Sequence, residues 1–199
     1  LGRLMQAQIT ELALAAIPGN TGRGAAGYNG DRVIAYWPTV IDSKRVTETV
    51  HFEGQSTDVL PTQRLGLEEM YYQKEPVRIA QAPSGDTTII PFGRLYGTRS
   101  GDKGGAANCG VWAKTDEAYS FLFEFLTIEK FKELAPDMAQ YKIERFEMPN
   151  LRALNFYIHD VLGEGVSSNH RIDGQAKSLG EYLRAKHIEA PTILVDQIQ

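Results

Sequence analysis

The chain has 199 residues, 42% of them hydrophobic and 23% charged, so it can bury a sizeable core and has an ordinary globular composition. Its net charge of -4 argues against nucleic acid or an anionic membrane as the main partner, because both favour a basic surface. No apolar run is long enough to span a bilayer, and no secretory signal pattern opens the chain. The single cysteine, Cys109, excludes an intrachain disulfide and predicts a reducing compartment, by default the cytoplasm.

The first half of the chain has weak patterning. Residues 3–17 carry apolar side chains at helical spacing and predict an amphipathic helix, so we expect that part of a longer protein precedes Leu1. Residues 33–37 and 46–52 predict two strands that pair as a hairpin or sheet edge. Prolines recur over residues 53–84, which predicts a linker.

The second half has the order ββαββα. Its predicted strands are residues 87–96, 106–114, 142–148 and 153–159. Thr115 and Thr127 are predicted to cap two helical segments, and Asp173 is predicted to cap the last helix. The simplest layered arrangement is an α+β, ferredoxin-like sandwich: a four-stranded, mainly antiparallel sheet with helices on one face. We therefore predict two regions, residues 1–85 as the end of a larger α/β domain with its linker, and residues 86–199 as the ferredoxin-like domain.

The stretch over residues 97–110 is rich in glycine and also contains Asp102 and Lys103. Consecutive glycine amides can form a nest for an anionic oxygen, which favours a binding loop. The same residue types are typical of a solvated turn, so a glycine-rich hairpin with a charged tip is an equally good interpretation.

Other polar residues could join this stretch if the two polar loops, residues 97–110 and 163–174, converge at one end of the sheet. Four cations would then be able to clamp a carboxylate, a phosphate or an acyl-CoA group: Arg99, Lys103, Arg152 and Arg171. Asp102, Glu164 and His170 would be the candidate proton carriers. For each of these residues, a surface ion pair is the competing interpretation. His51 and His159 lie in strand patterns and are more typical of structural or surface histidines.

Several well-known sites are excluded by spacing. Lys103 is followed by Gly104, so the stretch is not a P-loop, and no dinucleotide fingerprint joins a strand to a helix. Four scattered histidines and one cysteine form no zinc-binding spacing, so we predict no metal and no cofactor. Cys109 sits next to Gly110 in a predicted strand and is more typical of a small packing residue than of a nucleophile.

Four blocks occur in order: the stretch beginning Gly97-Thr-Arg-Ser-Gly-Asp-Lys-Gly-Gly, then Pro149-Asn-Leu-Arg-Ala-Leu-Asn-Phe, Leu162-Gly-Glu-Gly-Val and Lys177-Ser-Leu-Gly-Glu-Tyr-Leu. They resemble the small C-terminal, ferredoxin-fold-like domain of the acyclic terpene utilisation AtuA family. The likeness covers roughly residues 90–188, and residues 1–60 resemble the tail of that family's larger N-terminal domain.

The resemblance implies a catabolic protein associated with acyclic terpenes such as citronellol and geraniol, whose intermediates are branched acyl-CoA thioesters. The family's signature falls on Ser100, Gly101, Asp102, Lys103, Gly104, Gly105, Asn108, Asn150, Arg152 and Asn155. We expect an aliphatic residue where this chain has Cys109.

Two functions remain open at this point, and a ligand sensor is a third that only the frequent use of this fold for that purpose suggests. The first is an enzyme or enzyme subunit that acts on a small carboxylate or branched acyl-CoA by a hydratase or lyase step, without a redox cofactor. In it Asp102 and Lys103 are the candidate catalytic residues. The candidate substrate-binding residues are Arg99, Ser100, Gly104, Gly105, Asn108, Asn150, Arg152, Asn155, Glu164, His170 and Arg171.

The second is a non-catalytic assembly or ligand-binding module that docks onto the missing N-terminal domain or a partner subunit. In either case we expect a homo-oligomer.

Overall fold

The computed structural model describes residues 3, 4, 7, 8, 11, 34–59 and 79–197. The described residues among the first eleven are helical, and the rest of the helix predicted over residues 3–17 lies outside the described residues. The chain forms two compact units, one from residues 1–36 with 80–199 and the other from residues 37–79. The predicted division into residues 1–85 and 86–199 stays a prediction.

The smaller unit contains an exposed hairpin of β1 (Glu48–Phe52) and β2 (Gln55–Val59). The prediction that residues 46–52 pair with residues 33–37 is wrong, because residues 34–37 form no strand and β1 pairs with β2. The reason is the turn between them: Glu53 and Gly54 both have positive φ, the conformation that joins antiparallel strands most tightly.

Over residues 80–197 the larger unit contains six strands and four short α-helices. The strands are β3 (Thr87–Pro91), β4 (Tyr96–Lys103), β5 (Ala106–Ala113), β6 (Ile143–Met148), β7 (Ala153–Ile158) and β8 (His187–Pro191). The helices are α1 (Asp116–Phe125), α2 (Ile128–Leu134), α3 (Leu179–Arg184) and α4 (Thr192–Asp196). Four strands form an antiparallel sheet in the order β4-β5-β7-β6, which confirms the predicted α+β, ferredoxin-like fold.

The buried face of this sheet forms the core. Alternate side chains of β5 and β7 are fully buried there, including Val111, Leu154 and Phe156. The ring of Phe131, from α2, stacks on that of Phe156 with centroids 4.4 Å apart. Thr115 caps α1 by accepting from the amide of Ala118, as the sequence predicts.

We call the opposite face of this sheet the open face, because its side chains are mostly half-buried or exposed. Successive strand residues point to opposite sides, so register assigns its members. They are Gly97, Arg99, Gly101 and Lys103 of β4; Ala106, Asn108, Gly110 and Trp112 of β5; Ala153, Asn155 and Tyr157 of β7; and Glu144, Phe146 and Met148 of β6.

The strand predicted over residues 87–96 is divided between two sheets. β3 ends at Pro91, and the amide of Phe92 donates to the carbonyl of Lys186 at 2.7 Å. A 3-10 turn over Phe92–Arg94 then redirects the chain into β4. β3 consequently pairs with β8 in a separate two-stranded sheet.

Candidate functional site

The glycine-rich stretch over residues 97–110 forms a hairpin. β4 and β5 are joined by Gly104 and Gly105, and only the first of these has positive φ, 67°, as a type II′ turn requires. Of the two interpretations of this stretch, the structure therefore contains the hairpin.

Close backbone packing explains the glycines at this turn. A Cβ atom on Gly105 would overlap the carbonyl oxygen of Gly163, and the amide of Leu162 donates to the carbonyl of Gly105 at 2.8 Å. We call Gly104, Gly105, Gly163 and Gly165 the glycine junction. The two polar loops thus converge at one end of the sheet.

Tyr36 occupies the glycine junction. A Cβ atom on Gly104 would overlap its ring, and a Cβ atom on Gly165 would lie 3.1 Å from its Cβ. The amide of Tyr36 donates to the carbonyl of Glu164 at 2.6 Å, and the hydroxyl of Ser167 donates to the carbonyl of Ile34. The turns that contain Gly104 and Gly165 therefore form a contact surface for residues 34–36 of the same chain.

The two predicted catalytic residues point to opposite sides of the sheet. Lys103 is exposed on the open face, while the half-buried Asp102 lies opposite Ala107, whose side chain is in the core. The ammonium group of Lys103 donates to the backbone carbonyl of Asp102 at 2.8 Å. This geometry gives the two side chains no shared substrate position.

Ser100 joins β4 to the beginning of α3. Its hydroxyl accepts from the amide of Gly180 at 2.9 Å and donates to the carbonyl of Lys177 at 3.2 Å. A Cβ atom on Gly180 would lie only 2.7 Å from the hydroxyl oxygen of Thr98, so glycine permits this close approach. The serine therefore has a structural role.

A polar cleft of about 320 Å³ lies beside the contact between Ser100 and α3. It is lined by Thr98, Arg99, Ser100, Lys177, Gly180 and Glu181. Arg99 and Lys177 bring two cations to it, and the hydroxyl oxygen of Thr98 is buried without a hydrogen-bond partner in the described part of the chain.

Asn108 and Asn155 form a pair on the open face. The amide nitrogen of Asn108 donates to the amide oxygen of Asn155 at 3.0 Å, between the adjacent strands β5 and β7. Each side chain satisfies part of the other's hydrogen-bonding capacity.

Arg152 lies at the other end of the sheet. β5 runs from Ala106, opposite Lys103, to Trp112, opposite Ala153, a span of about 20 Å at the usual rise per strand residue. The Arg152 guanidinium pairs with Asp116 at the beginning of α1, and this hydrogen bond raises its pKa. The neighbouring Asn150 is exposed at the same end of the sheet, so the distance along β5 separates both residues from the glycine junction.

Glu164, His170 and Arg171 line one open groove of about 500 Å³. The structure thus brings these three predicted residues together. It does not bring them together with Arg152, and the four predicted clamp cations do not share one cleft.

Sequence reasoning missed the apolar part of the open face. Trp112, Phe146 and Met148 keep 41%, 48% and 41% of their surface exposed. Strand alternation could have indicated it. Ile143 faces the core, and Phe146 and Met148 lie three and five residues further along the strand, so they face the opposite side. Arg145 takes the core-side position and donates to the carbonyls of Phe123 and Leu126.

Two titratable groups have clear structural settings. His159 pairs with Glu144 at 2.6 Å, and the hydrogen bond from His159 lowers the pKa of Glu144. Cys109 is completely buried, which raises the pKa of its thiol to about 12 and confirms it as a packing residue. Within the described ranges, no cluster of His, Cys, Asp and Glu has metal-binding geometry. None of the helices that the structure describes could cross a membrane.

The fold defines a ferredoxin-like α+β domain with an open sheet face. The chain belongs to the AtuA ferredoxin-like domain family, whose model matches residues 90–189. Neither the search of curated proteins nor that of solved structures gave a significant match.

Proposed function

We propose that this chain is part of a protein of acyclic terpene catabolism, and that its ferredoxin-like domain is an assembly module that associates with a second copy through the apolar residues at the β6 side of its open face. Membership of the AtuA ferredoxin-like domain family supports the first statement. The observation that carries the second is that Phe146 and Met148 are exposed on β6, at the edge of a sheet face that no described helix covers. Aromatic residues and Met are the types enriched at the centres of protein interfaces.

The positions of the polar residues also favour assembly over catalysis within this domain. Asp102 and Lys103 are on opposite faces, and Ser100 is engaged by the backbone of α3. General acid and base catalysis needs groups within reach of the same reacting atoms. Chemistry on the catabolic intermediate would then belong to another part of the assembled protein.

Light scattering after size-exclusion chromatography tests this function on the full chain. We expect the wild type to associate and Phe146→Glu to dissociate, because a buried charge is costly in an apolar interface. Ile89→Glu is the control, since Ile89 is 66% exposed on β3, in the two-stranded sheet with β8. Wild type that remains monomeric throughout a dilution series would contradict the proposal.

A second candidate function is the binding of a small carboxylate or branched acyl-CoA in the cleft beside Ser100. The two cations Arg99 and Lys177 favour it, since both side chains recognise anionic groups. The carboxylate available for a hydration or lyase step there is Glu181, which pairs with Arg184 at 3.0 Å.

Calorimetric titration with a branched acyl-CoA tests this second candidate. Binding should weaken in Arg99→Ala and Lys177→Ala and should be unchanged in Lys132→Ala, which lies on α2 outside the cleft. If all four proteins bind equally, the cleft is not the site, and if none binds, this candidate fails.

A further inference from the structure

The outer edge of β6 has unpaired backbone groups. β6 is the last strand of its sheet and pairs with β7 on one side only. The amide of His159 donates to the carbonyl of Lys142 opposite it at 3.0 Å, which fixes the hydrogen-bonding alternation along the strand. The amides and carbonyls of Ile143, Arg145 and Glu147 therefore point outward, away from β7.

Apolar side chains lie along the same edge. Phe146 and Met148 are on the open face of β6, and Leu151 follows in the next turn with 69% of its surface exposed. An edge strand with exposed apolar side chains is a template for pairing with another strand. Proteins usually protect such edges with charged residues. β6 has three of them, Glu144, Arg145 and Glu147, and their positions determine which pairing registers would oppose like charges.

We infer that β6 pairs antiparallel with β6 of a second copy of this chain, about a two-fold axis at Phe146. This inference rests on the proposed assembly function and names its contact surface. The two copies' Phe146 side chains face each other on the open face. Arg145 of each copy lies opposite Glu147 of the other, and these residues exchange the outward backbone hydrogen bonds.

Charge and backbone chemistry favour this register over its neighbours. Arg145 and Glu147 already pair within each copy at 2.6 Å, and the inferred register sets two of these ion pairs side by side with opposite charges adjacent. Moving the axis to Arg145 would oppose two arginines, and moving it to Glu144 would oppose two carboxylates, both destabilising. The ladder ends at Pro149, which has no amide hydrogen to donate. The chosen register is the only one of these three that puts opposite charges across from each other and the apolar residue at the axis.

Disulfide trapping in the full chain tests the pairing directly. In the inferred register the two copies' Phe146 residues form a non-hydrogen-bonded pair. The Cα atoms of such a pair are about 4.5 Å apart, within the range that a disulfide spans. Phe146→Cys should therefore form a covalent dimer under mild oxidation. Glu144→Cys is the matched control on the same face, because it lies opposite Met148 of the second copy. The native Cys109 is buried and should not react in either variant.

The results separate this inference from the proposed function. Efficient cross-linking of Phe146→Cys but not Glu144→Cys supports the pairing. Equal or absent cross-linking, in a chain that still associates by light scattering, overturns the pairing and leaves the assembly function intact. A chain that neither associates nor cross-links overturns both. Phe146→Glu should also dissociate the dimer, whereas Ile193→Glu, on the exposed side of α4, should not.

Discussion

Gly105 and Gly163 lie backbone against backbone, since a Cβ atom on Gly105 would overlap the carbonyl oxygen of Gly163. The same turn also gives the amide of Leu162 its acceptor. Glycine is required here because two polypeptide segments approach closely, and ligand binding is not needed to explain it.

Gly105→Ala should therefore destabilise the protein. The added methyl group must displace backbone, a kind of overpacking that typically costs about 1–3 kcal/mol. Gly101→Ala is the matched control, since a Cβ atom there has nothing within 4 Å. Urea unfolding should show a lower midpoint for the first variant and an equal or higher midpoint for the second. Equal stabilities would contradict the packing explanation.

Ser100→Ala should destabilise the attachment of α3 to β4. The substitution leaves the buried amide of Gly180 without its acceptor, a loss of about 1–3 kcal/mol. Ser178→Ala is the control, because Ser178 is exposed and makes no capping hydrogen bond to α3. Thermal unfolding followed by circular dichroism distinguishes the two variants. A stable Ser100→Ala protein would show that this hydroxyl is dispensable for the fold.

Thr127→Ala should weaken the beginning of α2. Thr127 accepts from the amide of Lys130 at 3.1 Å, and loss of such a cap typically costs about 1 kcal/mol. Thr127→Ser retains the hydroxyl and should keep most of the stability. Unfolding free energies that do not separate the two variants would argue against a contribution from the cap.

Cys109 should make unfolding easier at alkaline pH. The native thiol has a pKa of about 12 against its usual value of 9.0, so the unfolded chain loses this proton first as pH rises. Stability should fall between pH 9 and 12, by up to about 1.4 kcal/mol for each pH unit. Cys109→Ala should show a smaller decline.

Burial also raises the pKa of Tyr96, but this residue is present in both proteins and does not affect the comparison. A thiol reagent gives an independent measurement. It should modify Cys109 only after the chain unfolds, and rapid reaction of the native protein would contradict the burial.

Local chemistry made the fold largely predictable. Thr115 and Thr127 marked both helix starts correctly, because their hydroxyls serve the first free amides of each helix. The strands over residues 143–148 and 153–158 also appear close to their predicted bounds.

The glycine hairpin was harder to predict, because Gly97, Gly101 and Gly110 have no side chain to show strand alternation. The position of Tyr36 was unpredictable for a different reason. Tyr36 contacts the glycine junction across a long sequence separation, and the local residue pattern of neither segment indicates that the two meet. The candidate residues could be chosen by type, but the faces they occupy depended on whether the stretch is strand or loop. Asp102 and Lys103 are neighbours in β4 and therefore point to opposite faces.

Tyr36 has a practical consequence for isolating this domain. The family match begins at residue 90, yet Tyr36 covers Gly104 and Gly165 and bonds to Glu164. A fragment cut at the family boundary would lose this cover and leave the glycine backbone of two turns open to water. An expression fragment intended to preserve the domain should therefore begin upstream of Ile34.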